Sequence, residues 1–389
     1  MNRIKPHMNK ATSQFLDLSR WVSAALVVIT HLNNRMFTNL SEIPHEQRSL
    51  IHFAWGFLSG FGSQAVTVFF VLSGYLVGGR VLEQILDEKK VSLRKYAVDR
   101  ITRIYVVLLP TIAVIGILDL IGSRLIDNDN LYSHYELSKH LTFGTLLGTL
   151  LNLQGIFTDF FGTNGPLATL ATEFWYYVIF PMLVSPWLPG RGKRARSILT
   201  FTGIIILTLW TFKNPWFGLG FVYWCIGAFG RVARNSFFPL QTTMAVLMFL
   251  GFLFLTRISL RSSFLGTTEI QFIYGVIVSI LFLNVIRAIE RSRFQSMPLG
   301  SFNHFMADFS YSLYALHASL LTFLCILLES TSGFGWKEIA SQPIHWIAAS
   351  IVLFMTYAIC YLFASLTGKR TSTVRSIAYH SARIRQEPR

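Results

Sequence analysis

Charge is scarce in this chain. Of its 389 residues only 14% are Asp, Glu, Lys or Arg, while 52% are hydrophobic. A soluble domain carries about 25% charged residues, so the composition excludes an ordinary soluble enzyme. Acid is scarcer than base: 19 Asp and Glu stand against 34 Lys and Arg, for a formal charge of +15. Cysteine is limited to Cys225, Cys325 and Cys360, all inside apolar runs. Their spacing suits neither pairing nor metal ligation, so a disulfide scaffold and a thiolate metal centre are excluded and they read as small core hydrophobes. No segment recurs at a fixed period, which excludes a repeat array. The first long apolar stretch holds Asp17, Arg20 and His31 and has no small-residue cleavage site, so no cleaved leader is expected.

What the chain does have is long apolar runs. Ile101–Leu120, Ile198–Phe212, Phe237–Thr256, Ile270–Ile286 and Ile344–Leu366 approach or reach the ~20 residues needed to cross a bilayer. Basic clusters separate them: Lys89, Lys90, Arg94 and Lys95; Arg191, Lys193, Arg194 and Arg196; Arg287, Arg291 and Arg293; Lys369, Arg370 and Arg375. Because these residues flank apolar runs and form no single face, they read as topology signals toward anionic lipid, and no nucleic-acid partner is expected.

The fold class expected is all-α: a polytopic transmembrane helix bundle of about ten spans with cytoplasmic N- and C-termini. The spans fall at 14–36, 61–81, 101–122, 166–188, 198–213, 215–232, 237–256, 268–288, 306–328 and 343–366. This orientation leaves only Arg35, Arg48, Arg124, Lys139, Lys213, Arg257, Arg261 and Lys337 outside, the inside-positive bias of membrane proteins. Residues 1–13 form a cytoplasmic N-terminal segment, 14–366 the membrane domain and 367–389 a basic tail on the lipid surface. The apolar segment 141–157 would put the cluster at 191–196 outside if it crossed, so it reads as an outer-leaflet or re-entrant helix buried by protein. Aromatic residues at the outer side, among them Trp55, Phe57, Phe61, Phe160 and Phe161, read as an interfacial belt.

Ionisable groups inside such spans are costly and mark function or interfacial anchoring. Arg20 and His31 are eleven residues apart, almost a whole number of turns, so they share one helix face ~16 Å apart along the axis. Asp17 is close enough to pair with Arg20. A snorkelling arginine and a headgroup histidine would give the same pattern. Ser73-Gly74 permits close approach of a helix or a ligand. Arg100 and Arg103 share a face at the inner mouth of a span, where two guanidinium forks suit a polyphosphate and equally suit anchoring. Glu173 is a lone carboxylate in an apolar helix, flanked at i−4 and i+4 by Thr169 and Tyr177; a histidine or arginine from another span is its expected partner. Ser310, Tyr314 and His317 lie along one face, with His317 near mid-membrane. No metal site is expected.

In this order, these pieces resemble acyltransferase family 3, multi-pass bacterial proteins that O-acylate sugars and other acceptors from acetyl-CoA. The resemblance rests on Arg20 and His31, Phe69-Phe-Val-Leu-Ser-Gly-Tyr75, Arg100 with Arg103, Thr169-Leu-Ala-Thr-Glu173, and Ser310 to His317, and it covers about residues 13 to 366. Trp21 stands where a Gly is common, and Thr169 replaces the usual Ser. The resemblance implies acetyl-CoA or another acyl-CoA as co-substrate, a carbohydrate or glycolipid acceptor, a lipid bilayer of the bacterial inner membrane, and leaves a homo-oligomer open. His31 and Glu173 are then the catalytic residues, with Glu173 orienting the imidazole. Arg20, Arg100, Arg103 and Ser73 would bind the donor, with Asp17, Tyr177, Tyr314 and His317 supporting. The alternative is a transporter or flippase using the same groups as a proton relay; the lack of an inverted repeat counts against it.

Overall fold

The computed structural model describes residues 8–89, 91–127, 130–189, 192–233, 238–259 and 267–381. Lys90, Arg191, Phe237 and Arg261, with the first seven and last eight residues, lie outside them. The chain is 81% helix and has no strand among the described residues.

The opening helix α1 (Lys10–Met36) starts where the Asn9 side chain accepts from the Thr12 N–H, closing one of the free donors of a first turn. Helices α2 (Leu50–Leu58) and α3 (Gly62–Ser73) follow, and a π-helical turn over Gly74–Gly78 joins α3 to α4 (Gly79–Leu86). Next come α5 (Leu93–Ile121), the short α6 (Leu137–His140) and α7 (Phe143–Leu150), then α8 (Leu167–Leu183) and α9 (Lys193–Lys213). Helices α10 (Pro215–Val232), α11 (Thr242–Ser259), α12 (Thr267–Arg291), α13 (Gly300–Ser332), α14 (Pro343–Leu366) and α15 (Thr371–Ser381) complete the chain.

Seven described helical stretches are long and apolar enough to cross a membrane, while Leu167–Leu183 and Thr242–Ile258 are apolar but shorter. The periphery is greasy: Phe201, Phe212, Leu247, Phe354 and Leu362 are all more than half exposed, a surface that suits lipid and not water. Helix α7 has eight residues; at 1.5 Å per residue it covers ~12 Å and cannot cross a core ~30 Å thick. Behind it Asn152 and Gln154 are fully buried, while Phe143, Leu147, Leu151 and Phe157 stay exposed.

The centre is a parallel pair, α1 and α13. The sequence separation is 287 at both Asp17–His304 and Arg35–Thr322, so the two helices run side by side in register. Helix α3 packs between α1 and α10, α5 lies along α13, and α8 and α12 pack around this centre. The α3–α10 contact depends on two glycines. A Cβ on Gly74 would collide with the Trp224 carbonyl, and one on Gly227 with the Val71 carbonyl. Backbone cannot give way as a side chain can. We expect Gly227→Val to destabilise the bundle by about 1–3 kcal/mol, read as a lower thermal midpoint in nanodiscs. Gly251→Ala, which enters open space, should leave that midpoint in place.

Candidate active site

The sequence-selected residues converge on one cavity of about 410 Å³. Asp17 and Arg20 of α1, Ser73 of α3, Arg100 and Arg103 of α5, Glu173 and Tyr177 of α8, and Tyr314 of α13 all line it. The predicted Asp17–Arg20 ion pair is present at 3.3 Å. Asp17 also meets His304 of α13 at 3.2 Å, which fixes α1 against α13.

Charge is uneven around the cavity. Arg20, Arg80, Arg100, Arg103 and Arg375 line it, against only Asp17 and Glu173. Arg80, Arg100 and Arg103 make no ion pair among the described residues, unlike Arg20 and Arg375. Arg103 lies over the Tyr311 ring at 4.9 Å, and Arg100 lies near the rings of Tyr96 and Tyr177. The Nε of Arg100 is buried without a hydrogen bond among the described residues. Such unpaired guanidinium donors are costly to bury unless an anion completes them.

In the same cavity a hydrogen-bonded chain converges on Glu173. Tyr177 donates its hydroxyl to Glu173 Oε1 at 2.5 Å. That uses its only proton, so across the 3.1 Å contact between Ser73 Oγ and Tyr177 Oη the serine must be the donor. Trp224 Nε1 in turn donates to Ser73 Oγ at 3.0 Å. Every donor in the series points toward the carboxylate, so the three side chains hold it in one position. The π-helical turn that begins after Ser73 is the kind of local widening often found at functional positions.

His31 is placed differently. It does not line the cavity, and no hydrogen bond or ion pair joins it to Glu173 among the described residues. The expected carboxylate–imidazole pair is therefore corrected: Glu173 is held by Tyr177 of its own helix, one turn on, and has Arg20 within electrostatic range. His31 packs against His317 with ring centroids 5.2 Å apart and the planes tilted by 48°, and its Nδ1 is 3.5 Å from Arg35 Nη1. His317 is fully buried; its Nδ1 lies 2.9 and 3.1 Å from the carbonyls of Tyr314 and Leu313. A carbonyl only accepts, so Nδ1 carries the proton and Nε2, buried without a partner, presents a lone pair. Tyr314 lines the cavity and its ring lies 5.8 Å from that of His317; it packs in an apolar plug with Val27 and Ala65, flanked by Leu26, Val66 and Phe69. Thr169 lines the cavity beside it.

The sequence reading missed Arg80, Arg375 and Trp224. Arg375 matters most, because it lies in the tail that reads as a lipid-surface segment. In the structure that tail forms α15, packed on α5. Arg375 pairs with Asp99 at 3.0 Å, and Tyr379 donates to the same carboxylate. The inside-positive rule hides such residues, since anchoring and binding arginines occupy the same positions along the chain. Trp224 carried no signal, being one aromatic in an aromatic-rich helix.

Residues 13–365 match the family model described as an acyltransferase domain. A Haemophilus influenzae protein described as uncharacterized is 26% identical over 151 residues, covering 38% of this chain and 60% of its own length. Proteins of Staphylococcus aureus strains COL and MSSA476, each named "Putative O-acetyltransferase", are 26% identical over 233 residues, 59% of this chain and 33% of theirs. The matched stretch thus spans about a third of the staphylococcal chains. No solved structure matches. With the model match covering nearly the whole chain, and most of the sequence pieces of that family lining one cavity, the chain belongs to acyltransferase family 3.

Proposed function

We propose that the protein is an acyl-CoA-dependent O-acyltransferase, with acetyl as the group moved, acting on a hydroxyl of a cell-surface carbohydrate or lipid-linked sugar. The observation that carries this reading is the cavity: arginines without ion-pair partners and a hydrogen-bonded carboxylate line one space, with an apolar plug beside it. Arg80, Arg100, Arg103 and Arg375 hold the CoA phosphates through charge-assisted bonds. The acyl-pantetheine arm lies along Arg20 toward Glu173. Oε1 of Glu173 is occupied by Tyr177, so the second oxygen accepts from an N–H or O–H of the bound substrates.

Transfer requires the acceptor oxygen to bond to the thioester carbon as the C–S bond breaks, with the hydroxyl proton passing to the CoA thiolate. We assign His31 as the carrier of that proton. It reaches the reacting atoms when the Tyr314–Phe69 plug turns aside, a gated closure of the sort that keeps water from a reactive ester. His317 supports the imidazole by packing against it. Ten crossings with both termini in the cytoplasm, in the inner membrane of a bacterium, bring a cytoplasmic thioester and an outside hydroxyl to the same point.

Purified protein in nanodiscs should transfer radiolabelled acetyl from acetyl-CoA. Arg103→Ala should raise the Kd for acetyl-CoA about tenfold, the loss of one hydrogen-bonded charge pair. The affinity of the unaltered protein should fall as NaCl rises. Calorimetry that finds no acetyl-CoA binding at millimolar concentration, or an unchanged Kd in Arg103→Ala, would remove the donor assignment.

A further inference from the structure

A second cavity, of about 300 Å³, lies beside the first. Its chemistry is different. Among the described residues no Asp, Glu, Lys, Arg or His lines it; hydroxyls, side-chain amides and aromatic rings do, among them Thr67, Thr172, Asn214, Gln271, Trp216 and Tyr274. The Gln271 amide and the Tyr274 hydroxyl make no hydrogen bond among the described residues, so polar capacity is left for an occupant.

Two helices show how the cavities are related. Along α3, Ser63, Gln64 and Thr67 face the second cavity, Phe70 faces both, and Ser73 and Val77 face the arginine-lined one. Along α8 the order repeats: Ala168 and Thr172 face the second, Thr169 both, and Glu173 and Tyr177 the first. The cavities therefore abut at Phe70 and Thr169. The plug is at the same place. Thr169 and Tyr314 line the first cavity together, and Val66, which lines the second cavity, packs on Val27, Ala65 and Tyr314. One movement of Tyr314 would join the donor cavity, the second cavity and the His31–His317 pair.

We propose that the second cavity is the acceptor site, and that it takes a neutral, polyhydroxylated ring. Uncharged hydroxyls and amides beside flat aromatic faces match the equatorial hydroxyls and apolar C–H face of such a ring. The absence of any cationic side chain disfavours a carboxylated or phosphorylated sugar, whose charge would be buried unpaired. The acceptor hydroxyl passes Thr169 to the acyl carbon. The inference rests on the transfer reading above and adds the place and charge class of the acceptor.

The test uses Thr172→Cys protein in nanodiscs, labelled with a neutral maleimide, with the unaltered protein as background for native thiols. Probes are the methyl glycosides of glucose, galactose, rhamnose and N-acetylglucosamine, and glucuronate as the charged control. A ligand at several times its Kd slows labelling by the factor 1 + [L]/Kd, about fivefold. At least one neutral glycoside should do so, and glucuronate should not. Thr172→Trp, which fills the cavity, should raise the KM for that glycoside about tenfold while the Kd for acetyl-CoA stays put. Slow labelling that no glycoside alters marks a lipid-filled cavity and overturns the proposal, as does protection by glucuronate equal to that by the neutral sugars. Protection without acetyl transfer would keep the site and sink the transfer reading; transfer without protection would do the reverse.

Discussion

Replacing His31 with alanine is expected to lower acetyl transfer at saturating acetyl-CoA by at least about a hundredfold, within the 10²–10⁴ range for losing a general base. That corresponds to about 3–5 kcal/mol of transition-state stabilisation. The structure says where the loss should appear. His31 does not line the arginine-rich cavity, so the Kd for acetyl-CoA should hold while kcat falls. His31 is half-buried, and its ring contacts are His317 and Arg35; removing it opens a small void without stranding a charge. The folded protein should therefore persist, and a thermal midpoint near that of the unaltered chain is the control. The assignment is lost if His31→Ala transfers acetyl within a few fold of the unaltered rate, or if its only defect is weaker donor binding.

Glu173→Gln should cost about as much, again at least about a hundredfold in kcat. The amide is the same size and still offers an oxygen to Tyr177, so the hydrogen-bonded chain from Trp224 through Ser73 can form. What disappears is the negative charge that the chain converges on. The sign of the binding effect is diagnostic. Removing one of the two acidic groups on a wall carrying five arginines makes the cavity more positive, so an anionic donor should bind as well or better. A fall in kcat with an unchanged or smaller Kd is the expected pattern. Tyr177→Phe, which keeps the carboxylate and removes one hydrogen bond to it, should cost less, about 1.5–3 kcal/mol. Glu173→Gln transferring acetyl at close to the unaltered rate would reduce Glu173 to a packing residue.

Much of this site was legible along the chain because the membrane sharpens the signal. In an apolar helix a carboxylate or an arginine has no cheap location, so Arg20 and Glu173 stand out from periodicity and burial cost alone. Arg100 and Arg103, three apart, could be placed on one face without knowing what that face meets. The pairing of His31 with Glu173 was not legible. Helix phase fixes which residues share a face, but not which helix packs opposite. That choice was made by the α1–α13 register, which sets His31 against His317, and by Tyr177, which reaches Glu173 within its own helix before any distant imidazole can.

The sequence by itself determined that the chain is helical and built for lipid, and which polar residues stand out in apolar helices, because apolar runs and stranded charge are local properties. The tertiary structure alone decided that Arg375 returns from the tail to the arginine-lined cavity, that Tyr314 lies on that cavity's wall and against His317, and that a second cavity without charged residues among those described abuts it at Thr169. Those facts depend on how helices far apart in the chain pack together, and van der Waals contact between distant segments leaves no periodic trace in either one.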